Sequence, residues 1–216
     1  VRKYYGRESD VIHCPVDTGR FKPSLGGEYY LVVSAFAPYK RIDLAIEAAH
    51  RLDRPLKIVG AGQDEQHLKS LSASLGGVTA EFLGWKTGQE LVELYEGCRA
   101  LLFPGEEDFG IVPVEAMAAG RPVIAFSSGG VLETVIGPNN PEGRKPTGFF
   151  FSEESTDGLI EAIRAFEAME EVFDPVAIRT HALNFDTSVF RTSMEEYLRN
   201  ALVAFGAGEA MMADLA

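Results

Sequence analysis

Six apolar runs of strand length recur along this chain, at residues 30–34, 56–59, 78–82, 100–103, 122–125 and 148–151. Amphipathic stretches of helical period lie between them, at 42–52, 65–75, 89–97 and 111–119, with a shorter one at 130–135. This alternation is the tightest constraint on the fold. Several runs, Ala100-Leu-Leu-Phe103 among them, are apolar without a break, so both faces of those strands are expected to be buried, as in a parallel sheet. Strand, crossover helix and parallel strand in repetition predict an α/β domain with a doubly wound, mostly parallel, Rossmann-like sheet. Ligands of such sheets sit beyond the carboxyl ends of the strands. Lys40, residues 60–62, residues 84–86, the loop around Glu107 and residues 127–130 each follow a strand. Five loops on one edge are thus expected to form one site.

The bulk properties narrow the partners. A chain of 216 residues with 46% apolar content can bury an ample core. Twenty basic against 32 acidic residues leave a net charge of −12, which argues against a polyanion such as DNA but leaves room for a small basic pocket holding one diphosphate. Cys14 and Cys98 are far apart in sequence, imply no disulfide framework and fit a reducing compartment. No stretch approaches the ~20 apolar residues that span a bilayer, and no signal peptide is visible, so a cytoplasmic location is expected. His13, His50, His67 and His181 form no metal-binding spacing, and no Cys-x-x-Cys, His-Glu-x-x-His or Gly-x-Ser-x-Gly occurs. No metal is expected.

The densest chemistry is Glu107-Asp-Phe-Gly-Ile-Val-Pro-Val-Glu115, two carboxylates eight positions apart that run into Ala116-Met-Ala-Ala-Gly120. Gly110 allows a tight turn, Pro113 is tolerated only in a first helical turn, and Gly120 followed by Pro122 closes the helix. A loop carboxylate, a bare helix N-terminus and a helix carboxylate are thereby set around one pocket mouth. Backbone N–H groups at such a terminus attract phosphate, and carboxylates grip sugar hydroxyls. Lys40, after Pro38-Tyr39, is a cation at a helix start, where the dipole slightly disfavours it; neutralising a departing diphosphate would explain it. Gly60-Ala-Gly62 after a strand makes either a plain turn or a ligand loop.

The Glu107–Glu115 run resembles the E-x7-E signature of family-4 (group 1) glycosyltransferases. Tyr30-Leu-Val-Val-Ser34, Pro38-Tyr-Lys-Arg-Ile-Asp43, Ile58-Val-Gly-Ala-Gly62, Phe82-Leu-Gly-Trp85 and Gly129-Gly-Val-Leu-Glu-Thr134 follow in the family's order. The resemblance implies the C-terminal, donor-binding half of a GT-B fold and retaining transfer of a hexose from a nucleoside diphosphate sugar. Its wording is closest to the mannosyltransferases, which favours GDP-mannose and leaves a UDP-sugar as the alternative donor. It implies that Glu115 accepts from the ribose hydroxyls, that Glu107 stands beside the transferred sugar, and that the N–H groups of Phe109, Gly110 and Ile111 face sugar and phosphate. Lys40 would stabilise the leaving diphosphate. An arginine usually stands five residues before this lysine; here Ala35 does, and Arg41 is the candidate replacement. Gly62 falls in the donor loop, and Trp85 and Lys86 fall where the family binds the base; Trp85 could equally fill a core gap. Residues 127–130 are expected at the donor pocket through their backbone, and Glu133 is equally a helix-start carboxylate.

The implied organisation is an interdomain helix end and linker at 1–22, including a short strand and linker within 10–21. A nucleotide-sugar-binding domain follows at 23–184, with late helices at 155–170 and 175–183. A return helix at 185–205 and a tail at 206–216 complete the chain. The N-terminal GT-B domain, which carries the acceptor site and any peripheral membrane contact, is expected to be absent, and the chain alone inactive. Weighed against this are a non-catalytic nucleotide-binding or assembly module that pairs with another chain, and an epimerase or phosphorylase on the same fold. A Rossmann-like redox protein is disfavoured, because no Gly-x-Gly-x-x-Gly follows the first strand.

Overall fold

In a computed structural model that describes residues 2–77 and 79–204, every one of the six apolar runs carries a strand. These are β1 (Tyr30–Val33), β2 (Leu56–Val59), β3 (Ala80–Gly84), β4 (Ala100–Phe103), β5 (Val123–Phe126) and β6 (Gly148–Phe151). All pairings are parallel, in the order β3-β2-β1-β4-β5-β6. The expected β3 began two residues earlier, and its first residue, Val78, lies outside the described residues. Burial on both faces holds for the central strands: all of β4 and Tyr30, Leu31 and Val32 of β1 are buried. The outer strands differ. β3 and much of β6 are only half-buried, because an edge strand has a neighbour on one side alone.

One turn of helix, α1 (Arg2–Tyr5), precedes the strap to the sheet. Then come α2 (Ile42–Leu52), α3 (Glu65–Ser74), α4 (Gly88–Gly97), α5 (Ile111–Ala118), α6 (Val131–Thr134), α7 (Thr156–Ala168), α8 (Pro175–Ala182) and α9 (Thr187–Ala204). Local chemistry sets their starts. The Ser155 hydroxyl accepts from the Gly158 N–H at 3.1 Å to cap α7, and the Asp174 carboxylate caps α8, with Pro175 in its first turn. Gly120, at φ +73°, ends α5 in the left-handed region that glycine tolerates. Helix α5 is apolar nearly all round and buries Val114, Ala116, Met117 and Ala118 completely. Each large core side chain such as Leu31 or Ile58 contributes about 1.5–3 kcal/mol by its burial.

The short strand expected within 10–21 does not form. Val16 makes an isolated parallel bridge to Asp186: its N–H donates to the Phe185 carbonyl at 2.9 Å and its carbonyl accepts from Thr187 at 3.2 Å. A 3-10 turn, Thr18–Arg20, follows at once. The Thr18 N–H, which would make the next pairing, turns back to the Val16 carbonyl at 2.9 Å, so the bridge is not extended. The segment is a strap clipped to the start of α9. The last residue of the expected return helix, Phe205, and the tail lie outside the described residues.

In this strand order the winding switches sides between β1 and β4: β2 and β3 are added on one side of β1, and β4, β5 and β6 on the other. The crevice beyond their carboxyl ends is where the architecture leaves room for a ligand.

Candidate functional site

Two cavities open at that crevice and share Val33, Ser34, Ala35 and Val112 as a common wall. One, of about 370 Å³, is lined by Cys14, Lys40 and the loop from Glu107 to Ile111. The other, of about 310 Å³, is lined by Glu115, Gly60, the run from Trp85 to Gly88, and Arg20. A larger groove of about 560 Å³ runs along α3 from Gly62 to Ala73. It is open to solvent, and its one lysine, Lys69, is already paired with Glu65 at 2.7 Å. The paired cavities are the better site.

Close main-chain approaches build the Glu107 loop. A Cβ on Gly105 would stand 2.7 Å from the Lys40 Cα, so only glycine lets this loop lie against the Pro38–Lys40 turn. From the other side, the Gly130 N–H donates to the Glu107 carbonyl at 2.7 Å. A Cβ on Gly130 would meet the Asp108 carbonyl and the Phe109 Cα at 2.4 Å. Residues 129–130 thus brace the loop from behind and stand outside both cavities. Held in this way, Glu107 forms an ion pair through Oε1 with the Lys40 ammonium, which also lies 4.7 Å from the Tyr39 ring centroid. Burial lowers the Lys40 pKa from its ordinary value.

Phe109 stacks on His13 of the strap at 5.6 Å and meets Phe185 edge-on at 5.9 Å. These contacts fix the loop just before Gly110, whose φ of +85° turns the chain into α5. No side chain caps the amino terminus of α5, and the terminus faces the larger cavity through Gly110, Ile111 and Val112. Free N–H groups there can bind an anion.

Glu115, on the following turn of α5, is half-buried. The Tyr95 hydroxyl of α4 donates to its Oε2 at 2.8 Å. Burial raises the Glu115 pKa, and the Tyr95 hydrogen bond and the positive charge of Arg20 oppose that rise. Neither helper is visible in the sequence. Tyr95 reads there as one apolar position of an amphipathic helix, and Arg20 as a linker cation. The turn that ends the strap brings Arg20 to the cavity wall, where Nη2 donates to the Gly88 carbonyl at 3.4 Å. Among the described residues Arg20 makes no ion pair, whereas Arg41 is engaged by Asp43 at 3.2 Å and Glu154 at 3.1 Å and lines neither cavity.

Trp85 is 71% exposed on the cavity rim, so it does not fill a core gap. Lys86 lines the same cavity, with its ammonium on Glu90 of α4 at 2.7 Å. Gly62 packs elsewhere: a Cβ there would meet the Phe36 carbonyl at 2.4 Å, so its role in this structure is loop packing, while Gly60 lines the cavity. Exposed Glu133 lies 3.7 Å from the His13 ring. Among the described residues no cluster of three His, Cys, Asp or Glu could hold a metal ion, and no helix is long and apolar enough to cross a membrane.

Comparison with known proteins gives this arrangement its family. Residues 18–176 match the family described as "Glycosyl transferases group 1". The chain belongs to the group 1 glycosyltransferases. It is 36% identical over 107 residues to an uncharacterized glycosyltransferase of Methanocaldococcus jannaschii, covering 49% of this chain and 30% of that protein. It is 26% identical over 167 residues to the O-antigen chain mannosyltransferase C of Escherichia coli, covering 76% of this chain and 43% of the relative. A solved structure of Anabaena HepE in complex with UDP and glucose superposes with a TM-score of 0.75 at 22% identity, over 88% of this chain and 56% of the other. The glycosyltransferase chain therefore spans from about a third to half of the length of the relatives it matches. Its doubly wound sheet is the expected half of a GT-B fold.

Proposed function

We propose that this chain is the donor-binding domain of a retaining hexosyltransferase, which takes the sugar from a nucleoside diphosphate and requires a second Rossmann-like half for turnover. The observation that carries this reading is the division of labour between the two cavities. Glu107 and Lys40 line one, Glu115 lines the other, and they share a wall at the strand ends. A nucleoside diphosphate sugar has the same sequence of needs: a carboxylate at the ribose, a cation and free N–H groups at the diphosphate, and a carboxylate at the sugar.

In this reading Glu115 accepts from the ribose hydroxyls, and Trp85 and Lys86 border the base. Arg20, from the strap, adds a cation on the Glu115 side of the shared wall, where Ala35 and Arg41 supply none. The N–H groups of Phe109, Gly110 and Ile111, together with Lys40, hold the diphosphate as negative charge develops on it. The bond to the anomeric carbon lengthens, the sugar acquires oxocarbenium character, and Glu107, released from Lys40, orients it. In this reading the donor divides the Lys40–Glu107 pair, each partner taking its own part of the donor. GDP-mannose is the donor we favour, on the wording of the Glu107–Glu115 run and the name of the E. coli relative; the UDP named for the Anabaena structure makes a UDP-sugar the competing choice. The acidic chain, with only two cysteines, is assigned to the cytoplasm.

Calorimetric titration with GDP, UDP, ADP and GDP-mannose tests this reading, with Glu115→Ala beside the unchanged chain. Saturable binding of one nucleotide that is lost in the variant supports it and names the base. No binding by a folded chain, or equal binding by the variant, overturns it.

A further inference from the structure

Glu115 does not stand alone on its helix. We infer that Tyr95 is the positioning residue that aims the Glu115 carboxylate, so that the α4 phenol sets how tightly the site discriminates a ribose from a sugar lacking its hydroxyls. The inference rests on the reading of Glu115 given above and deepens it.

Tyr95 is 0% exposed. A buried phenol needs an acceptor, and the acceptor it has is Glu115 Oε2, at 2.8 Å on the neighbouring helix. By donating, Tyr95 occupies one lone pair of that oxygen and leaves Oε1, with the second lone pair of Oε2, for hydroxyls arriving from the cavity. Glutamate is among the side chains with most rotamer freedom to lose on ordering. An anchor that orders it before the ligand arrives removes that cost from binding.

The anchor is itself fixed. Phe21, 1% exposed, meets the Tyr95 ring edge-on at 5.6 Å with the planes at 85°. Phe21 follows Arg20, which lines the same cavity as Glu115. The end of the strap therefore clamps the ring that aims the carboxylate and also places a cation beside it. Burial pushes the Tyr95 hydroxyl well above its ordinary pKa, so it remains a proton donor across the physiological range.

The test compares GDP with 2′,3′-dideoxy-GDP, and UDP with 2′,3′-dideoxy-UDP, by calorimetry on the chain and on Tyr95→Phe, Glu115→Gln and the double variant. Tyr95→Phe keeps the ring and its contact with Phe21, and a melting curve verifies that it is folded. For the base that binds, the unchanged chain should prefer the ribose form. Tyr95→Phe should weaken the ribose form about tenfold, leave the dideoxy form within about twofold and collapse the ratio of the two. In the Glu115→Gln background the same substitution should change the ratio no further. A Tyr95→Phe variant that loses both forms equally, or keeps the ratio, overturns the positioning role and leaves the reading of Glu115 intact. An unchanged chain that fails to separate ribose from dideoxyribose, or binds neither, overturns the reading of Glu115 and this inference with it.

Discussion

At the amino ends of the strands, Glu167 of α7 accepts from the Tyr30 hydroxyl at 3.0 Å, from Arg54 at 2.8 and 3.0 Å and from Arg99 at 2.7 Å, while Arg99 also reaches Glu170 at 2.6 Å. At the carboxyl ends of the same strands, Glu115 has one phenolic donor, Glu107 one lysine, and the first turn of α5 no side-chain cap. Both ends contain carboxylates and arginines. At one end Glu167 and Arg99 each meet several partners inside the chain, and the network ties the starts of β1, β2 and β4 to α7. The other end keeps acceptors and donors in reserve. In the proposed reading, the saturated network at one end of the sheet serves stability, and the sparsely partnered groups at the other are left for binding.

Substitutions at the two ends should therefore move different observables. Glu167→Ala leaves the part-exposed Arg54 without its carboxylate and Arg99 with Glu170 alone, and should cost about 2 kcal/mol of stability, read as a lower denaturant midpoint, with nucleotide affinity unchanged in the folded protein. Equal loss of affinity would show that the ends are coupled. Glu115→Ala should do the reverse, weakening nucleoside diphosphate binding by about 1.5–3 kcal/mol while the melting temperature stays within a few degrees. Lys40→Ala comes next. It should weaken binding of the diphosphate by about 1–2 kcal/mol and that of the nucleoside by much less, since only the diphosphate needs the ammonium; an equal loss for both ligands would remove Lys40 from the phosphate subsite.

The smallest effects come from pH, and their signs differ between the two ends. Glu167 has its pKa lowered, chiefly by the hydrogen bond from Arg54. Its contribution is present above the ordinary carboxylate range and fades as pH falls through the lowered value. Glu115 has its pKa raised, chiefly by burial. The folded chain thus takes up a proton there more readily than the unfolded one, and ionised Glu115 costs stability at neutral pH, a cost relieved as pH falls through the raised value. Glu115→Gln should accordingly raise stability at pH 7–8, a gain that vanishes in acid, in urea titrations at several pH values. Nucleotide binding by the unchanged chain should weaken over the same acidic range, because only the ionised carboxylate accepts from two hydroxyls. Unaltered stability in Glu115→Gln at every pH would contradict the assignment of that cost to burial.

The period of the apolar residues was enough to locate all six strands and every long helix to within a residue or two, because a buried strand and an amphipathic helix leave different repeats in the chain. It was also enough to place Glu107 and Glu115 on a loop and on the helix that follows, since Gly110, Pro113 and Gly120 constrain the backbone locally. The isolated bridge at Val16 had no such signature, because a single pairing leaves no repeat. The strand order, the switch between β1 and β4 and the sharing of a wall by two cavities depend on contacts between residues far apart in sequence. Arg20, Tyr95 and the rim position of Trp85 belong with these. Each acquires its role from a neighbour on another element, and a side chain's periodicity records only whether it faces the core, not which residue meets it there. Local backbone chemistry thus wrote the elements and the two carboxylates into the chain, while packing of distant segments decided that Tyr95 would hold Glu115, that Arg20 would face it and that Arg41 would turn away.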